Sequence, residues 1–144
     1  AAAHWLGYGG LLPFAVPALL VAALPAGDWH ALAAQVLQAY GAVILSFLGG
    51  ITWGRALGLE GVTRAVAARE FGYSVCPSLL AWGSLLLPAR HGCALLAACF
   101  CAAFVHDALT ARLLGLPRWF FALRLQLSLG AVSACSLVAV FGPR

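Results

Sequence analysis

Charge is what this sequence has least of. Only 8% of its 144 residues are charged, against about 25% in an ordinary soluble domain, while 64% are hydrophobic and the mean hydropathy is +1.00. So few ionic groups cannot clothe a water-exposed surface, which excludes a soluble domain and implies an integral membrane protein. Lysine is missing altogether: the basic residues are Arg55, Arg64, Arg69, Arg90, Arg112, Arg118, Arg124 and Arg144. They stand singly at the ends of apolar segments rather than in a run. That argues against nucleic acid as a partner and fits topology determinants. Methionine is absent, and the opening AAAHWLGYGG has no basic n-region, so no signal peptide is legible there. None of the cysteines (76, 93, 99, 101 and 135) forms a CxxC pair. Neither a disulfide framework nor a metal site is therefore expected, and the thiols read as small packing residues. Ser and Thr are sparse, and no GxSxG, HExxH or glycine-rich phosphate loop occurs. A non-enzymatic protein without catalytic residues is expected.

What is present is apolar sequence in five stretches, at residues 5–24, 31–57, 71–87, 92–110 and 119–141. Each is long enough to cross roughly 30 Å of hydrocarbon, the longer ones with tilt. Their interiors do not alternate apolar and polar residues, which excludes a barrel. The expected fold is all-α: a polytopic bundle of five transmembrane helices forming a single membrane domain over residues 1–144. Breakers fill the linkers, and only 58–70 is long enough to hold a short surface helix. An odd number of crossings places Arg55, Arg64, Arg69, Arg112, Arg118 and Arg124 on one side, with Arg90 and Arg144 on the other. The positive-inside rule then makes the N-terminus cytoplasmic, or matrix-facing in an organelle. Trp5, Trp29, Trp53 and Trp119 lie near segment ends, where interfacial anchors belong.

Within the second stretch, YGAVILSFLGGITWGRAL, small residues recur every four: Ala42, Ser46, Gly50, Gly54 and Gly58. In lipid, small residues let helix backbones approach closely, so this row is expected to be a helix-packing ridge. The partner is either another helix of the chain or another protein; the internal partner is favoured, and the similar row Ala94, Ala98, Ala102, His106 and Thr110 is a candidate for it. Pro13 and Pro17, spaced i, i+4, should kink the first helix. Charges inside membrane segments raise a functional question first. Arg55, Asp107 and Arg124 fall at similar depth on one side and are expected to pair there, fixing helix register. A proton relay would need acidic groups deeper in the bilayer, and there are none. His106 is a weak candidate for cofactor ligation, being the one imidazole even partly within an apolar segment.

The motifs GYGGLLPF, YGAVILSFLGGITWG, YSVCPSLLAW and GLPRWFFALRLQLSLG follow the order seen in the DUF3429, transmembrane protein 69-like family. The chain resembles these small multi-pass membrane proteins over nearly its whole length. The resemblance implies a bacterial inner or mitochondrial inner membrane and brings no established activity. Family members commonly carry a His where this chain has Thr52. Together these readings point to an accessory or assembly subunit of a larger membrane complex, respiratory or photosynthetic. Its partners would be the lipid bilayer and other membrane-protein subunits. No cofactor is predicted, although the composition is compatible with a bound lipid or pigment. The alternatives are a small transporter or channel, with a cavity lined by Pro13, Pro17, Ser74, Ser78 and Gln126, and a pigment- or haem-binding protein.

Overall fold

Gly9, Gly10 and Pro13 decide how the chain begins. The computed structural model describes residues 2–58, 63–110 and 118–143. Its first rod is broken into α1 (Ala2–Gly9) and α2 (Leu12–Ala23). Pro13 has no N–H to give the Gly9 carbonyl, and it sits at the start of α2, where a missing donor does no harm. The Gly10 carbonyl accepts a hydrogen bond from the Tyr40 hydroxyl at 2.9 Å. The break thus falls just ahead of the two prolines expected to kink the segment, and Pro17 lies buried inside α2.

Four longer helices follow: α3 (Asp28–Leu57), α4 (Arg64–Leu85), α5 (Ala89–Thr110) and α6 (Arg118–Phe141). Asp28 in the first turn of α3 and Arg55 in its last complement the helix dipole. Thr63 caps α4, its hydroxyl accepting from the Val66 N–H at 3.4 Å. That cap starts α4 well before Phe71, so most of the connection expected to hold a separate surface helix belongs to α4 itself. Arg112, the linker between α5 and α6, and Arg144 lie outside the described residues, as do the side chains of His4 and Arg118.

The described residues contain no strand, and the architecture is an all-α helical membrane bundle. Four stretches are long and apolar enough to cross a bilayer: Trp5–Ala23, Asp28–Leu57, Ala89–Thr110 and Trp119–Phe141. α4 differs because Arg64, Arg69 and Glu70 occupy its first two turns. α3 is the hub, packing on α2, α4, α5 and α6, while α5 lies along α6 and α1 rests on α6. Phe14, Leu37, Leu45, Leu96, Phe100 and Val138 fill the centre among alanines and cysteines. The outside is just as apolar: Leu19, Val43, Phe47, Leu79, Val105 and Leu129 are all exposed. An exterior like this belongs in lipid rather than water.

At the end remote from Arg55, polar side chains tie down the last carbonyls of two helices. Buried Gln38 donates to the Ser84 and Leu87 carbonyls at 2.6 and 3.1 Å. Arg90 Nε donates to the Ala139 carbonyl at 2.9 Å, and His30 Nε2 lies 3.1 Å from that of Phe141. Free carbonyls at helix ends are costly away from water. Gln38→Ala should therefore destabilise the bundle by about 1–3 kcal/mol, read by thermal unfolding in detergent. Gln35→Ala, at an exposed position on the same helix, should change little.

Candidate functional site

The buried face of α3 carries Ala34, Leu37, Gly41, Leu45, Gly49, Thr52 and Ala56, a mixture of steps of three and four as a 3.6-residue helix requires. On α4 the buried row is Glu70, Ser74, Pro77, Ala81 and Ser84. The two rows meet where Gly49 admits the Ser74 carbonyl so closely that an added Cβ would collide with it. Gly41 likewise accepts Leu96, whose Cδ1 would lie 3.0 Å from such a Cβ.

The row Ala42, Ser46, Gly50, Gly54, Gly58 behaves differently from the expected internal ridge. Ala42 is buried and Ser46 half-buried, its hydroxyl turned back to the Ala42 carbonyl at 2.9 Å. Gly50, Gly54 and Gly58 are exposed, and at Gly50 and Gly54 no described atom lies within 4 Å of an added Cβ. A strict four-residue step turns about 400°, so four steps drift about 160° around the helix. The row therefore starts in the core and ends on the outer face. The α5 row suggested as its partner also points outward at Ala94, Ala98 and Ala102. α5 instead buries Cys93, Leu96, Phe100, Ala103 and Asp107.

Convergence of α3 and α4 sets a polar cluster at the Arg-rich end. Asp107 on α5 accepts from Arg55 Nη2 at 2.8 Å and from Arg124 Nε at 2.7 Å, one oxygen to each. The three side chains are 8%, 18% and 9% exposed respectively, so their charges act through protein and lipid rather than water. Arg55 also donates to the Thr52 hydroxyl at 3.2 Å, and Arg124 to that of Ser128 at 3.4 Å. Beside them, buried Glu70 meets Arg69 at 3.2 Å and lies 3.3 Å from His106 Nε2. The His106 ring stacks flat on Tyr73, 3.5 Å between centroids. Both Asp107 oxygens are engaged, so this carboxylate is a structural counter-ion rather than a free base. Two guanidiniums nevertheless face one carboxylate. Among the described residues, Arg55 Nε and Nη1 are buried with no hydrogen-bond partner.

A cavity of about 230 Å³ opens beside these arginines. Its walls are apolar, with Leu11, Phe14, Leu48, Phe100, Leu127 and Ala131. Its polar end is made by Thr52, Arg55, Tyr73, Asp107, Arg124 and Ser128. His106, the candidate ligand for a cofactor, is not in its lining, and neither are Pro13, Pro17, Ser74, Ser78 or Gln126. Ser74 donates instead to the Phe71 carbonyl at 2.6 Å, and Gln126 accepts from the Tyr8 hydroxyl. The sequence reading missed Glu70, Tyr73 and Gly49. The signal for Glu70 was the 70, 74, 77, 81, 84 spacing, which continues the apolar helix back through it.

Comparison with known proteins finds a family and a curated relative. The model of the DUF3429 family, described as a protein of unknown function, matches residues 1–140. Transmembrane protein 69 of Xenopus tropicalis is 40% identical over 84 residues, which is 58% of this chain and 32% of that protein. The chain thus spans about a third of the length of this curated relative. No solved structure matches.

Proposed function

The chain belongs to the DUF3429 family, and from that premise we propose that this integral membrane protein is a non-enzymatic accessory, assembly or stabilising subunit of a larger membrane complex. The observation that carries this reading is the open strip at Gly50 and Gly54 on α3, which nothing described in the chain covers. In lipid there is no hydrophobic drive to bury a helix face, so association depends on close backbone contact, which small residues permit. Exposed Phe47 and Leu57 flank the strip and would grip a helix laid across it. Composition supports the same reading: four acidic residues in the whole chain supply no file of carboxylates for ion transfer. A respiratory or photosynthetic electron-transfer complex of a bacterial or mitochondrial inner membrane is the host the family resemblance suggests.

Transport finds less support, because the cavity beside Arg55 is lined mainly by apolar side chains and by none of Pro13, Pro17, Ser74, Ser78 or Gln126. Haem or pigment ligation by His106 finds less still, since that ring is stacked on Tyr73 outside the cavity lining.

The test is affinity purification from native membranes in mild detergent. Stoichiometric membrane subunits should co-purify with the chain. The double variant Gly50→Leu, Gly54→Leu should lower their recovery about ten-fold or more without destabilising the isolated chain, since both positions are open and leucine is the better helix former. A lone, monodisperse chain would sink the proposal.

A further inference from the structure

We infer that the cavity beside Arg55 and Arg124 is a binding site for a single-chain amphiphile with a carboxylate head. The inference stands on the cavity and its charges and does not depend on the subunit reading. The polar end presents two guanidiniums against the single carboxylate of Asp107, so the lining carries one net positive charge, buried Glu70 lying beside it but outside the lining. Buried polar groups without partners are costly, and Arg55 still holds two buried nitrogens, Nε and Nη1, without acceptors among the described residues. A monoanionic carboxylate supplies one negative charge and an acceptor oxygen for one of these nitrogens, in a charge-assisted hydrogen bond.

Behind this head position the walls turn apolar, at Phe14, Phe100 and Ala131. The volume of about 230 Å³ equals about eight water-sized units at roughly 30 Å³ each. That accommodates a carboxylate and the first part of one alkyl chain. Access is from the bilayer: Leu6 and Phe47 both line the cavity and are 78% and 62% exposed. Leu6 on α1 and Phe47 on α3 therefore mark a side of the cavity that faces lipid. An amphiphile moving in the leaflet would enter there head-first, and the remainder of its tail would stay in lipid.

The experiment uses the full chain in nanodiscs of zwitterionic lipid, with radiolabelled decanoate as the probe and decanol, decyltrimethylammonium and decylubiquinone as competitors. Decanoate should bind saturably, decanol should compete about ten-fold or more weakly, and decyltrimethylammonium should not compete. Arg55→Gln should weaken decanoate about ten-fold or more, and Ala131→Leu, which fills the apolar end, should weaken decanoate more than hexanoate. Should Arg55→Gln fail to fold, the selectivity of the unaltered chain and the Ala131→Leu result still decide. Non-saturable uptake, decanol as strong as decanoate, or an Arg55→Gln variant that binds normally would overturn the assignment. Decylubiquinone displacing decanoate at equal or lower concentration would also overturn it, in favour of a neutral carbonyl ligand.

Discussion

Asp107→Asn is expected to lower the unfolding free energy by about 3–5 kcal/mol, the range for removing one partner of a buried ionic cluster. The carboxylate is 8% exposed and gives one oxygen to Arg55 and the other to Arg124. Asparagine keeps the shape but leaves two buried guanidiniums facing each other without a counter-ion. The two-to-one stoichiometry makes the prediction sharper. Arg124→Gln leaves a neutral Arg55–Asp107 pair, so losing one cation should hurt less than losing the anion. Asp28→Asn, at an exposed position in the first turn of α3, should change stability by less than about 1 kcal/mol. Reversible unfolding in mixed micelles measures all three. A ranking with Arg124→Gln worse than Asp107→Asn would show that the cluster is not balanced in this way.

Adjacent glycines should respond to the same substitution with opposite signs. Gly49→Ala places a methyl against the Ser74 carbonyl oxygen, a backbone atom that cannot rotate aside. α3 and α4 must then separate, at a cost of about 1–3 kcal/mol. Gly50→Ala meets nothing described within 4 Å and should stabilise the isolated chain by up to about 1 kcal/mol through better helix propensity. Thermal unfolding of the two single variants, side by side, measures the difference. Equal effects would mean that α3 is rotated from the orientation described here.

Much of this architecture is legible in the sequence because membrane spans are set by length and apolarity. Once the spans are placed, Arg55 at the end of α3, Asp107 near the end of α5 and Arg124 early in α6 must share one depth, and the structure brings the three together. Rotation about each helix axis is less legible. The four-residue row that starts at Ala42 picks out Gly50 and Gly54, while the buried row lies one position earlier and holds Gly41, Leu45 and Gly49. Since both faces of α3 are apolar, lipid-facing and core-facing residues look alike in composition. Only the mixed step of three and four separates them. Glu70 was hidden for a related reason: a charge beside an apolar run reads as loop, although Thr63 had already started the helix. The cavity is not legible in the sequence, because its lining is drawn from all six helices.

The claim on which the functional account turns is that the outer face of α3 meets another protein. A photo-crosslinking amino acid at position 54, activated in native membranes, tests it most directly. A lipid-facing control stands at position 129 on α6, where Leu129 is exposed. The account predicts a discrete protein adduct of reproducible mass from position 54 and none from position 129. Lipid adducts alone from both positions would contradict it.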